Sequence, residues 1–217
     1  WLSTDGGGIT CVDKKWNTLQ QFTAGGKNSI SHNNVKSICY DEKKNCLYIG
    51  TYLGGLSRYD LNTGRFYNYW KEESHSSDMP DEIVYHVKIW KDQIYISAHN
   101  GFFRLDTQTQ INIPFAFYEH FDIDAEGNLY MVGWKNVLCT HVEHPESIVY
   151  VPLAEGDSKA TPTRVLATSD GVYIGTLGMG LFFMIGRRVT WLIILPETIS
   201  CRVISAIIFA GPRMERF

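Results

Sequence analysis

The chain has 217 residues, 44% of them hydrophobic, and a net charge of -3, which allows a sizeable buried core. No long block of one sign of charge is present, and this argues against a surface that wraps nucleic acid or lies on an anionic membrane. The most apolar stretch, Val189–Phe209, is interrupted by Pro196, Glu197 and Arg202, so it falls short of the ~18 apolar residues of a spanning helix and reads as buried strand.

In chain order, residues 1–22 read as three short strands. The chain begins at Trp1 without an initiator methionine, charged n-region or apolar h-region, so any targeting signal is expected to have been removed or to lie outside it. A complete unit follows. Val35–Ile38 alternates apolar and polar, Asp41–Asn45 supplies a turn, and Leu47–Thr51 is a β-rich run. A Gly54-Gly55 turn then leads to the strand Leu56–Tyr59, and an Asp60–Gly64 turn to Phe66–Tyr69. Four short antiparallel strands are expected.

Three further units repeat this plan. The third is expected at 83–89, 93–97, 102–105 and 111–117, the fourth at 119–124, 128–132, 137–141 and 148–151, and the fifth at 164–167, 172–176, 181–184 and 188–192. Ser200–Ile207 parallels Ser31–Ile38, so 202–208 reads as the first strand of another unit, after which 209–217 departs from the pattern. No segment holds a 3.6-residue period, so helix is expected to be scarce.

The repeat is carried by one grammar: Trp1-Leu-Ser-Thr-Asp-Gly-Gly-Gly-Ile9, Leu47-Tyr-Ile-Gly-Thr-Tyr-Leu-Gly-Gly-Leu56, Ile94-Tyr-Ile-Ser-Ala-His-Asn-Gly-Phe102, Leu129-Tyr-Met-Val-Gly-Trp-Lys-Asn-Val137 and Val172-Tyr-Ile-Gly-Thr-Leu-Gly-Met-Gly-Leu181. Measured at Thr4, Thr51, Ala98, Gly133 and Thr176, the spacings are 47, 47, 35 and 43. Such a period in strand-like segments predicts an all-β fold, a β-propeller of four-stranded antiparallel blades with about five units in a single domain over 1–217. Two arrangements fit: the terminal strands close a five-bladed ring, or the chain is part of a larger one. The partial propeller is preferred, although five lies within the ~4 to 8 blades of closed rings.

Other patterns read as structure. The five cysteines, Cys11, Cys39, Cys46, Cys139 and Cys201, have no C-x-x-C spacing and read as small buried hydrophobes; a Cys39–Cys46 bridge would need the two to face each other in an oxidising compartment. Asp122–Asn128 opens with calcium-loop spacing but has Gly133 where a bidentate Glu should stand, and reads as a strand-to-strand turn. His141 and His144, near Glu143 and Glu146, are expected on opposite faces of one strand, which separates them as metal ligands. Gly25–Ser29 lacks the first Gly and the Ser/Thr of a phosphate loop and reads as a turn, as does Gly175–Gly180. No metal, cofactor or catalytic constellation is called for.

One functional signal comes from equivalent positions. The turn between the second and third strands falls on the same side of every blade, and there the chain carries Tyr52, His99 and Asn100, Trp134 and Lys135, and Leu177. An indole, a phenol and hydrogen-bonding groups suit a sugar ring and its hydroxyls. The competing expectation is a set of unrelated surface loops.

The motif Leu47–Thr51 with Gly54-Gly55-Leu56 and Tyr59-Asp60, preceded by Ser31–Val35 and Ile38, resembles the two-component regulator propeller repeats found in the sensor regions of bacterial hybrid two-component histidine kinases. It recurs as Trp1–Thr4 with Gly7-Gly8-Ile9, strongly in the fifth unit, and as Gly101-Phe102 with Arg104-Leu-Asp106; it weakens in the fourth unit and fails after Ile208. The resemblance implies a periplasmic sensor segment for a polysaccharide-derived oligosaccharide, with signalling passed to a kinase that lies outside this chain. Homodimerisation through the parent receptor is compatible with it. A protein-docking scaffold and, more remotely, a carbohydrate-active enzyme are the alternatives; neither nucleic acid nor a membrane segment is expected.

Overall fold

The computed structural model describes residues 1–69, 82–114, 118–133, 136–153 and 161–186, and the backbone of 188–192. All regular structure in them is strand. Strands β1 (Leu2–Thr4), β2 (Gly8–Val12) and β3 (Thr18–Phe22) form a three-stranded sheet. Four four-stranded sheets follow. The second holds β4 (Val35–Asp41), β5 (Cys46–Thr51), β6 (Leu56–Asp60) and β7 (Arg65–Asn68), and the third β8 (Val84–Trp90), β9 (Gln93–Ala98), β10 (Gly101–Arg104) and β11 (Thr109–Ile111). The fourth holds β12 (His120–Ile123), β13 (Asn128–Gly133), β14 (Asn136–His141) and β15 (His144–Pro152); the fifth holds β16 (Thr161–Thr168), β17 (Gly171–Leu177), β18 (Leu181–Ile185) and β19 (Arg188–Leu192). Within each sheet, strands adjacent in sequence pair antiparallel, and among the described residues no pairing joins the fifth sheet to the first. The expected strand at 202–208 and the divergent tail lie outside the described residues.

Two local devices explain the repeated grammar. Thr4, Thr51 and Thr176 each donate their hydroxyl to a carbonyl four residues on, at Gly8 (3.2 Å), Gly55 (2.9 Å) and Gly180 (2.8 Å). Those glycines sit at φ 75, 65 and 76, a backbone state that costs glycine nothing and that other residues adopt with strain. Asp13, Asp60 and Asp124 close hairpins on the opposite side by accepting two backbone N–H groups each, from Lys15 and Asn17, Asn62 and Thr63, and Gly127 and Asn128. The calcium-like spacing is therefore an aspartate-closed turn.

The hydrophobic cores lie between sheets rather than within them. Ile9 packs with Val35, Leu47 and Tyr59 between the first and second blades, and Tyr48 with Val84, Ile94 and Ile96 between the second and third. Tyr95 packs with Phe121, Leu129 and Met131 in the next interface, and Val132 with Val165, Val172 and Ile174 in the last. An aromatic column runs through them. Trp1, Tyr48, Tyr95, Tyr130 and Tyr173 occupy one repeat position; the first four turn toward the following blade, where Trp1 meets Tyr59 edge-on at 6.0 Å. Tyr48 and Tyr95 are buried, and burying a side chain of that size stabilises the fold by about 1.5–3 kcal/mol.

Three expectations need correction. The fourth strand of the third unit is Thr109–Ile111, not 111–117. Gln108, at φ 52, closes the turn early, the Ile113 N–H folds back onto the Ile111 carbonyl at 2.9 Å, and Pro114 has no N–H for a ladder; residues 115–117 lie outside the described set. Strand β15 begins at His144, well before the expected Ile148, because only Val142 and Glu143 separate it from β14. His141 and His144 are consequently cross-strand partners with rings 5.6 Å apart, not residues on opposite faces of one strand. The condition for a Cys39–Cys46 bridge is not met: Cys39 opposes Tyr48 while Cys46 opposes Asp41, and both thiols are free.

Candidate functional site

The turns between second and third strands hold the expected residues at equivalent points of separate blades. Tyr52 follows Thr51, and its backbone N–H donates to the Asn34 carbonyl at 2.9 Å. The residue is 37% exposed, and its ring carries the Lys36 ammonium 5.3 Å from its centroid. His99 is held by its N–H on the Ile83 carbonyl at 2.9 Å, with Nδ1 3.4 Å from the Tyr85 hydroxyl. The Asn100 carbonyl accepts from the Gln110 side chain at 3.1 Å. A cavity of about 260 Å³ opens beside His99, lined also by Ser97, Phe102, Gln110, Asn112 and Tyr118. Leu177 ends β17 with 71% of its surface exposed. Trp134 and Lys135 lie outside the described residues.

A second polar constellation runs along the axis, on the first strand of each blade. Ser37, His86, His120 and Arg164 are equivalent positions, opposite Gly50, Ser97, Val132 and Gly175. Two residues further, Cys39, Lys88, Asp122 and Leu166 lie opposite Tyr48, Tyr95, Tyr130 and Tyr173. All of these axial residues but Ser37 line one cavity of about 210 Å³, which continues to Tyr173, Gly175 and Leu181 on the fifth blade.

Contacts here cross blade boundaries. His86 and His120 lie ring against ring, 3.9 Å between centroids. Lys88 forms an ion pair with Asp122, whose other oxygen accepts the Ala167 N–H at 2.9 Å. His120 Nδ1 faces the Val165 N–H at 3.4 Å. Burial, reinforced by the cations of Lys88 and Arg164, pushes His86 down to about 3. Burial, with His86, Arg164 and Lys88 beside it, also holds His120 well below the ordinary histidine range. Both imidazoles are thus neutral at neutral pH.

Comparing columns of the repeat, which located the turn residues, would have found this axial set too. It was hidden because the turn between first and second strands varies in length, from residues 42–45 in the second blade to 91–92 in the third, which moves the equivalent residues out of simple alignment.

No protein-family model matches the sequence, and no curated protein matches it. Solved structures do. An extracellular domain described as part of a hybrid two-component system from B. thetaiotaomicron superposes with a TM-score of 0.67 at 17% identity, over 85% of this chain and 25% of that one. The β-propeller domain of Cps50 (Swd1) from Myceliophteria thermophila gives 0.55 at 13%, over 72% and 54%. A gluconolactonase from Xanthomonas campestris gives 0.58 at 10%, over 82% and 65%. The chain therefore has a β-propeller fold, and it spans about a quarter of the length of the two-component extracellular domain.

Proposed function

We propose that this chain is a ligand-sensing propeller segment of a hybrid two-component sensor histidine kinase, lying outside the inner membrane and recognising an oligosaccharide released from a polysaccharide. Likeness of fold to an extracellular two-component domain supports the setting, as do the repeat motifs. The observation that carries recognition is His99 at the mouth of a cavity of about 260 Å³ beside the Gln110 and Asn112 side chains, where amide and imidazole groups can pair with sugar hydroxyls. Tyr52 adds an accessible ring on the neighbouring blade, and Trp134 and Lys135 complete the proposed set. The segment binds and has no catalytic role of its own; dimerisation belongs to the parent receptor.

Calorimetric titration with oligosaccharides from several polysaccharides tests this reading. The expected result is a saturable response to one class, abolished by His99→Ala or Trp134→Ala in variants that stay folded. A folded chain that ignores every sugar overturns it for this segment and favours protein docking, for which the fifth blade offers Leu177, Met179 and Ile185, 71%, 43% and 59% exposed.

A further inference from the structure

We propose that the axial cavity is a separate binding site for a small oxyanion, a carboxylate or phosphate group on a ligand no larger than one sugar ring. The site is distinct from the turn face and requires no assumption about the oligosaccharide.

Three groups that can donate hydrogen bonds line the cavity without an acceptor to meet them among the described residues. Among the described residues Arg164 engages only the carbonyl of its neighbour Thr163, through Nη1 at 2.7 Å, and no carboxylate pairs with it. His120 presents Nδ1 to the Val165 N–H, so its neutral ring carries the proton on Nε2. His86 touches His120 and Phe121 through its ring, and no hydrogen bond to its nitrogens occurs among the described residues. The nearby carboxylate is already committed: Asp122 takes Lys88 and the Ile123 N–H on one oxygen and the Ala167 N–H on the other. A site with a guanidinium that has no carboxylate partner among the described residues, two imidazole donors and a neutralised carboxylate complements an anion with several acceptor oxygens. At about 210 Å³ the cavity is smaller than the ~300–1,000 Å³ that encloses a larger ligand.

The charges that face the histidines predict a linked proton. Lys88 on β8 and Arg164 on β16 disfavour imidazolium, Asp122 on β12 is paired, and Cys39 on β4 and Tyr173 on β17 contribute neutral groups. An anion beside Arg164 reverses that balance and draws a proton onto His86 or His120, so affinity rises as pH falls.

Calorimetry on the full chain with inorganic phosphate, glucuronate and glucose decides the matter. Saturable binding of phosphate, glucuronate or both is expected, with glucose inert; which anion binds identifies the source of the oxyanion. Arg164→Gln should weaken binding at least tenfold and Arg164→Lys less, in an exposed position where a melt confirms folding. Binding of glucuronate, whose carboxylate stays ionised throughout, should change little from pH 8 to pH 6 and tighten from pH 6 toward pH 4.5. No binding of either anion, equal binding of glucose, or anion binding unchanged by Arg164→Gln overturns the proposal. Because Arg164 lines the axial cavity and not the one beside His99, only binding weakened by Arg164→Gln reports on this site; its failure leaves the oligosaccharide reading standing, and the reverse also holds.

Discussion

The hydroxyl oxygen of Ser37 accepts the backbone N–H of Val87 at 3.0 Å, tying the first strand of the second blade to the first strand of the third. Val87 is 2% exposed and Ser37 6%, so water has little access to the N–H if the hydroxyl is removed. Ser37→Ala should lower stability by about 1–3 kcal/mol, the cost of a buried donor without a partner. Urea unfolding measures this; an unchanged midpoint would show that the bond contributes nothing.

Thr51→Val keeps the shape of a residue with no exposed surface and deletes only its hydroxyl. The Gly55 carbonyl would still accept the Thr51 backbone N–H at 2.9 Å. The expected loss is therefore only about 0.5–1.5 kcal/mol, read as a modest fall in Tm without a change in circular dichroism.

Equivalent glycines should respond differently to the same substitution. A Cβ on Gly50 would lie 2.7 Å from Val84 Cγ1 and 3.1 Å from the Val84 carbonyl oxygen, whereas one on Gly175 would find its nearest neighbour at 3.7 Å. Val84 has no exposed surface, so relief requires the third blade to shift. Gly50→Ala should cost about 1–3 kcal/mol through overpacking while Gly175→Ala stays near neutral. Equal effects in parallel denaturation curves would contradict this account.

The two axial histidines give stability a defined pH dependence. His86 is held at about 3 in the fold against an ordinary 6.5, and His120 is also lowered. The unfolded chain therefore takes up more protons below pH 6.5, so their contribution is fully present above that value and is lost as pH falls toward the folded pKa. Hydrogen bonds from Asn17 and Thr63 hold Asp13 and Asp60 below their usual 3.8, so those groups titrate beneath the histidine window. Melts from pH 7.5 to 4.5 should show declining stability, with a shallower slope in His86→Gln. A flat wild-type profile would mean that the rings are not desolvated.

The blade pattern was legible because strand period, turn chemistry and the Thr-to-Gly bond are all local. Strands β5, β9, β13 and β17 fall where Leu47, Ile94, Leu129 and Val172 announce them. Less legible was whatever depended on one residue more or less. The positive φ at Gln108 moved β11 toward the N-terminus, and the short turn at Val142-Glu143 brought His141 and His144 opposite one another. The axial set was hidden for the same reason: first turns of unequal length shift Arg164 and His120 against the repeat, and the cavity they share is a relationship between blades that a single unit does not encode. At the turn face, sequence gave the positions of Tyr52 and His99 but not the cavity beside His99, because Gln110, Asn112 and Tyr118 reach it from other segments.

Because apolar side chains are shared across each boundary, as Tyr48 is with Val84 and Tyr95 is with Phe121, a blade has little stability to call its own. The sheets behave as a one-dimensional stack in which each member is held by its neighbours, so a defect in one blade withdraws support from the blades on both sides of it.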